Sequence, residues 1–81
     1  MLNLECKAKM SPAEASEKIK SFFGTKGLGL TMVEEAQGCL RFEGGGGYVT
    51  ANLCEEEGRT KINLLTQEWE RDVKRFAAEI G

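Results

Sequence analysis

Leu40-Arg41-Phe42-Glu43-Gly44-Gly45-Gly46-Gly47-Tyr48-Val49-Thr50-Ala51 is the stretch that decides the fold. Leu40 and Phe42 alternate with Arg41 and Glu43, and Val49 and Ala51 alternate with Tyr48 and Thr50. Period-two patterning marks two strands, each with one buried and one wet face. The glycine run between them supplies the dihedral freedom that a tight hairpin needs. Whether the loop is Gly45-Gly46 or all four glycines, Phe42 falls opposite Val49, Leu40 opposite Ala51 and Arg41 opposite Thr50. Both faces then match, which fixes the register, because a slip of one residue would turn every apolar side chain to water.

Working toward the N-terminus, Ala36-Gln37-Gly38 reads as a three-residue turn that joins this hairpin to a preceding strand. Leu28, Leu30 and Met32 are the apolar positions of that strand, with Leu30 and Met32 sharing a face with Leu40 and Phe42. Before it, Ser11-Pro12-Ala13-Glu14 is a helix start. Ser11 suits the cap, Pro12 the first helical position, and Glu14 completes a capping box. Ala15, Ile19, Phe22 and Phe23 form one apolar stripe, so a helix is expected over 12–23, with Gly24 as a left-handed C-cap. Leu2, Leu4, Cys6 and Ala8 alternate with polar residues and make a first strand.

Toward the C-terminus, Tyr48 to Cys54 is one strand, and Thr60, Ile62 and Leu64 mark the core side of another. Matching these to Val49, Ala51 and Leu53 requires a loop of two or four residues. Gly58 also suits a three-residue bulged loop that would pair Leu53 with Lys61. The hydrophobic register is followed, since one face must be buried. Thr66 is a candidate N-cap for a last helix over 67–80, whose stripe is Trp69, Val73, Phe76, Ala77 and Ile80. Its other face is charged, with pairs such as Glu70–Lys74.

The order is therefore β-α-β-β-β-β-α within one α+β domain spanning residues 1–81. Four consecutive strands form a meander. The first strand is expected beside the fifth, giving an all-antiparallel sheet in the order 1-5-4-3-2 with both helices on one face. This element order resembles the TBP-like arrangement, one half of the TATA-binding protein, or a reduced helix-grip domain of the Bet v 1/START type. The resemblance covers nearly the whole chain and rests on topology, so it implies a fold and almost no function. The chain departs from both families. It has one repeat where the TATA-binding protein has two. Its open face is expected to carry Glu5, Glu35 and Glu43 where DNA would want Arg and Lys. It lacks the longer sheet that encloses a helix-grip cavity.

Composition excludes several functions. The chain has 81 residues, 41% of them hydrophobic and 30% charged, which fits a folded domain and not a disordered tail. Eleven Lys and Arg against 13 Asp and Glu leave a net charge of −2, which argues against nucleic acid or anionic membrane as the main partner. No stretch approaches the roughly 18 apolar residues of a membrane helix. The N-terminal residues lack the basic-then-apolar pattern of a secretion signal. With three cysteines, this pattern points to a reducing cytoplasm and free thiols. Histidine is absent, which removes Ser-His-Asp and Cys-His catalysis and His-ligated metals.

The remaining candidate sites each have a structural explanation. Gly24 to Gly29 leaves a helix C-terminus and enters a strand, the reverse of a phosphate loop. Glu55, Glu56 and Glu57 diverge from a turn and lack the alternating ligands of a calcium loop. Cys6 faces the core. Cys39 faces Asn52, with Cys54 its diagonal neighbour about 7–8 Å away, too far for an unstrained disulfide. No catalytic constellation, cofactor site or metal site emerges.

The expectation is a cytoplasmic, non-enzymatic binding or interaction module that forms a homodimer through the open sheet face or through an edge strand. The expected interface comprises Thr31, Val33, Arg41, Tyr48, Thr50 and Asn52. An alternative is a helix-grip small-molecule domain with Trp69 and Val73 lining a site between the C-terminal helix and the sheet. A third is thiol redox or metal chemistry at Cys39 and Cys54.

Overall fold

The computed structural model describes residues 1–36 and 38–80. Its elements are β1 (Leu2–Ala8), α1 (Pro12–Phe23), β2 (Thr31–Ala36), β3 (Cys39–Gly44), β4 (Gly47–Glu56), β5 (Arg59–Gln67) and α2 (Glu70–Ile80). The strands form one antiparallel sheet in the order β1-β5-β4-β3-β2. This is the expected α+β topology, and its hairpins explain it locally.

Gly44 pairs with Gly47, leaving Gly45 (φ 60°) and Gly46 (φ 82°) as a two-residue turn with positive φ at both positions. Such a turn matches the right-handed twist of the strands it joins. The same solution recurs at Glu57 (φ 52°) and Gly58 (φ 78°), between Glu56 and Arg59. Leu53 therefore pairs with Ile62 and Ala51 with Leu64, and the three-residue loop is rejected.

Ile19, Phe23, Leu40, Phe42, Val49, Ala51, Ile62, Leu64, Val73 and Phe76 are buried in one core between the sheet and both helices. The rings of Phe22, Phe23 and Phe76 bring α1 and α2 together, with centroids 4.9–5.4 Å apart. Two buried threonines at the sheet margins bond to backbone. Thr60 Oγ1 donates to Met10 O at 2.7 Å, and Thr66 Oγ1 donates to Tyr48 O at 2.6 Å. Each stabilises by about 1 kcal/mol, and the Thr60 bond also ties the segment after β1 to the sheet.

The structure corrects the sequence reading in four places. First, Thr66 is not a cap. It continues β5, and α2 starts at Glu70, with Trp69 O accepting the first helical bond from Val73 N–H at 3.0 Å. The pairing of β5 with both β1 and β4 outweighs the local capping preference. Glu68, at φ 81°, makes the bend.

Second, Gly24 is extended (φ −75°, ψ −164°), not left-handed. Its hydrogen matters because a Cβ there would lie 2.4 Å from Lys20 O. At the other end of α1, the Ser11 hydroxyl accepts from Glu14 N–H at 3.2 Å, as expected of a cap.

Third, β2 begins only at Thr31. Gly29 has φ +82° and turns the chain, so Leu28 and Leu30 precede the strand, although Leu30 is still buried.

Fourth, the β2–β3 register shifts between Met32 and Glu34. Met32 pairs with Phe42 as expected, but Ala36 pairs with Cys39, so strand pairing closes nearer the turn than a three-residue loop allows. Gln37 of that turn lies outside the described residues. A bulge at Val33 absorbs the difference and moves Glu35 opposite Leu40, onto the helix side. The Glu35 carboxylate there meets the Lys20 ammonium of α1. Glu35 is thus absent from the open face. The helices pack on β1, β5 and β4, so every residue of β2 is exposed, including Met32, which the alternation assigned to the core.

Candidate functional site

Both helices lie on one side, so the opposite side of the sheet has no covering element among the described residues. Register places its side chains in four cross-strand rows. Lys7, Lys61 and Cys54 form the first, and Glu5, Asn63, Asn52, Cys39 and Ala36 the second. Asn3, Leu65, Thr50, Arg41 and Glu34 form the third, and Gln67, Tyr48, Glu43 and Thr31 the fourth.

Of the six residues expected at the interface, four are brought together: Arg41, Tyr48, Thr50 and Asn52 occupy adjoining positions on β3 and β4. Arg41 organises this group. Its Nη1 donates to Thr50 Oγ1 at 3.2 Å, its Nε donates to Glu43 Oε2 at 3.1 Å, and its guanidinium lies 4.7 Å from the Tyr48 ring centroid. A guanidinium held on three sides is a fixed planar surface. Thr31 and Val33 sit at the β2 edge instead, with Val33 half exposed in the bulge.

Asn52 and Asn63 are directly opposed on β4 and β5. Their amides bring both donors and acceptors to the middle of the face. Leu65 lies beside them, opposite Thr50 and Asn3, and was missed as a site residue. The signal was present in Leu64-Leu65: period two requires one of two adjacent leucines to leave the core. The margins are ion-paired, Lys7 to Glu56 at 3.3 Å and Lys61 to Glu5 at 3.7 Å.

The three cysteines are free. Cys54 is exposed, Cys39 half-buried beside Asn52, and Cys6 half-buried against the core. Burial, and then the neighbouring Glu5 charge, push the Cys6 thiol above its ordinary pKa and hold it protonated. Among the described residues no group of three or more His, Cys, Asp and Glu is arranged to hold a metal ion.

Trp69 and Val73 are placed by packing. The Trp69 indole Nε1 donates to Gly44 O at 2.9 Å, closing the start of α2 over the β3–β4 turn. Gly45 must be glycine for the ring to fit, since a Cβ there would lie 2.8 Å from it. Val73 is fully buried. The clefts lined by Phe22 and Phe76, by Leu30 and Phe42, and by Pro12 and Leu40 include neither Trp69 nor Val73. No helix among the described residues is long and apolar enough to cross a membrane. No family model matches the chain, and no curated protein matches it.

Proposed function

We propose that this chain is a cytoplasmic, non-enzymatic interaction module that forms a twofold dimer through the open face of its sheet. We also read it as a reduced relative of the TBP-like or helix-grip topologies, on element order alone. The observation that carries the dimer is the composition of the uncovered face: Thr50, Asn52, Asn63 and Leu65 lie at its middle, Arg41 and Tyr48 are braced beside them, and the other charges lie toward its margins. A polar centre with a Tyr and a braced Arg inside a charged rim is the anatomy of a modest interface.

Charge favours a second copy of the same chain over nucleic acid. The face carries Lys7, Lys61, Arg41 and Arg59 against Glu5, Glu34, Glu43 and Glu56, which balance. A nearly neutral face neither repels itself nor attracts a phosphate backbone. Size sets the strength. Five strands spaced about 4.8 Å apart, each contributing about 20 Å of length, give roughly 500 Å² per copy and roughly 1,000 Å² for a pair. That is the lower limit of a specific interface, so a micromolar dimer is expected. Twofold symmetry is the simplest closed arrangement for identical faces.

Light scattering during size-exclusion chromatography tests this. At about 100 μM protein a micromolar dimer is largely assembled, so a dimer mass is expected. A monomer mass at that concentration refutes self-association.

A further inference from the structure

The helix side of the molecule carries a second, unrelated surface feature. Beside the seam where Phe22 meets Phe76, a cleft of about 550 Å³ opens between α1, the loop that follows it, and α2. Phe22, Leu28, Phe76 and Ile80 form its apolar wall. The loop is fastened to that wall by backbone. Leu28 N–H donates to Phe22 O at 3.0 Å, and Gly27 passes so close that a Cβ would lie 2.0 Å from the same oxygen. Leu28 is thereby tied by its backbone to the end of α1, beside the cleft it lines.

Its charged lining has a sign. Lys18 and Arg75 supply two cations against the single carboxylate of Glu79. The Arg75 guanidinium lies 5.0 Å from the Phe22 ring centroid, and its link to Asp72 is a long 3.7 Å contact at the surface. Lys18 has no ion-pair partner among the described residues. A guanidinium stacked on a ring keeps its N–H edge free for a planar oxyanion. The volume falls within the range of small-molecule sites, which combine an apolar lining with a few placed polar groups.

We propose that this cleft binds a small amphipathic carboxylate. Its flat apolar body rests against Phe22, Leu28, Phe76 and Ile80, and its carboxylate meets Lys18 and Arg75. This site is independent of the sheet-face dimer, and it lies away from Trp69.

The test is a titration of the full-length chain with 2-naphthoate, followed by amide NMR, with 2-naphthylmethanol as the neutral control. Saturable shifts are expected at Phe22, Leu28, Arg75 and Ile80, with naphthoate bound about tenfold more tightly than the alcohol. The double variant Lys18→Gln/Arg75→Gln, at surface positions that leave the fold intact by circular dichroism, removes that preference and leaves the alcohol unaffected. Trp69 emission stays unchanged. Equal affinity for acid and alcohol, no saturable shift, or shifts centred on Trp69 or the open sheet face would each overturn the proposal.

Discussion

Replacing Thr66 separates two accounts of the same residue. As a helix cap it would tolerate Ser and welcome Asp. In the structure it is a fully buried strand residue whose hydroxyl donates to Tyr48 O at 2.6 Å. Thr66→Val keeps the shape and deletes the donor to Tyr48 O, at a cost of about 1–2 kcal/mol. Thr66→Ser keeps the donor and deletes a buried methyl, costing about 1 kcal/mol. Thr66→Asp places a carboxyl where water does not reach, and a cost above about 3 kcal/mol is expected. An 81-residue domain has a total stability of about 5 kcal/mol and a urea slope of about 1 kcal/mol per molar. The Val and Ser variants should therefore lower the urea midpoint by about 1 M or more, and the Asp variant by about 3 M or more at neutral pH. Urea unfolding followed by Trp69 fluorescence and far-ultraviolet circular dichroism reads all three. A Thr66→Asp protein as stable as the parent would return the residue to the helix and refute the strand boundary.

Gly27→Ala should destabilise by about 2–3 kcal/mol, read as a fall in Tm, because the new methyl meets a backbone oxygen that cannot move without breaking the Leu28–Phe22 bond. Gly29→Asn, at φ +82° in open space, should cost about 1 kcal/mol, all of it from the positive φ and none from a clash. Timed alkylation with iodoacetamide at pH 8, followed by mass spectrometry, should label exposed Cys54 first, Cys39 next and Cys6 last. Cys6 reacts slowly because burial and Glu5 raise its pKa. The Glu35 contact raises the Lys20 pKa above its ordinary 10.5, so the pair's contribution is complete below that value and is lost as pH rises through the higher folded value. Titration of the Lys20 ammonium by NMR should show this, and Glu35→Gln should bring it back toward the ordinary value.

The sheet was legible wherever two strands tested each other. The β3–β4 and β4–β5 hairpins were recoverable because apolar positions on one strand had to meet apolar positions on the next, and Gly45, Gly46 and Gly58 stood at three of the four turn positions that need positive φ. The β2–β3 pair had a weaker constraint. β2 is an edge strand that the helices do not cover, so no burial pattern announced the bulge at Val33 or the transfer of Glu35 to the helix side. A bulge costs little at an edge and makes it a poorer template for stray pairing. The start of α2 was misread because Thr66 and Trp69 are equally at home in a cap and stripe or in a strand and bend. Only the partners Tyr48 and Gly44, 18 and 25 residues away, decide between these. Thr31, Arg41, Tyr48, Thr50 and Asn52 share the open face because strand parity alone decides which side of a sheet a residue faces. Arg41's three-way bracing depends on rotamers, which parity does not specify. The helix-side cleft had no sequence signal, since it is assembled from Phe22, Leu28, Phe76 and Ile80 on separate elements.

The central claim, that the uncovered sheet face joins two copies of this chain, is tested most directly by amide NMR on dilution. Spectra recorded from about 500 μM down to about 20 μM span the expected micromolar equilibrium. Concentration-dependent shifts are predicted at Arg41, Tyr48, Thr50, Asn52, Asn63 and Leu65, with α1 and α2 unmoved, and Thr50→Arg should abolish them. Spectra that do not change over this range, or changes confined to the helices, would contradict the claim.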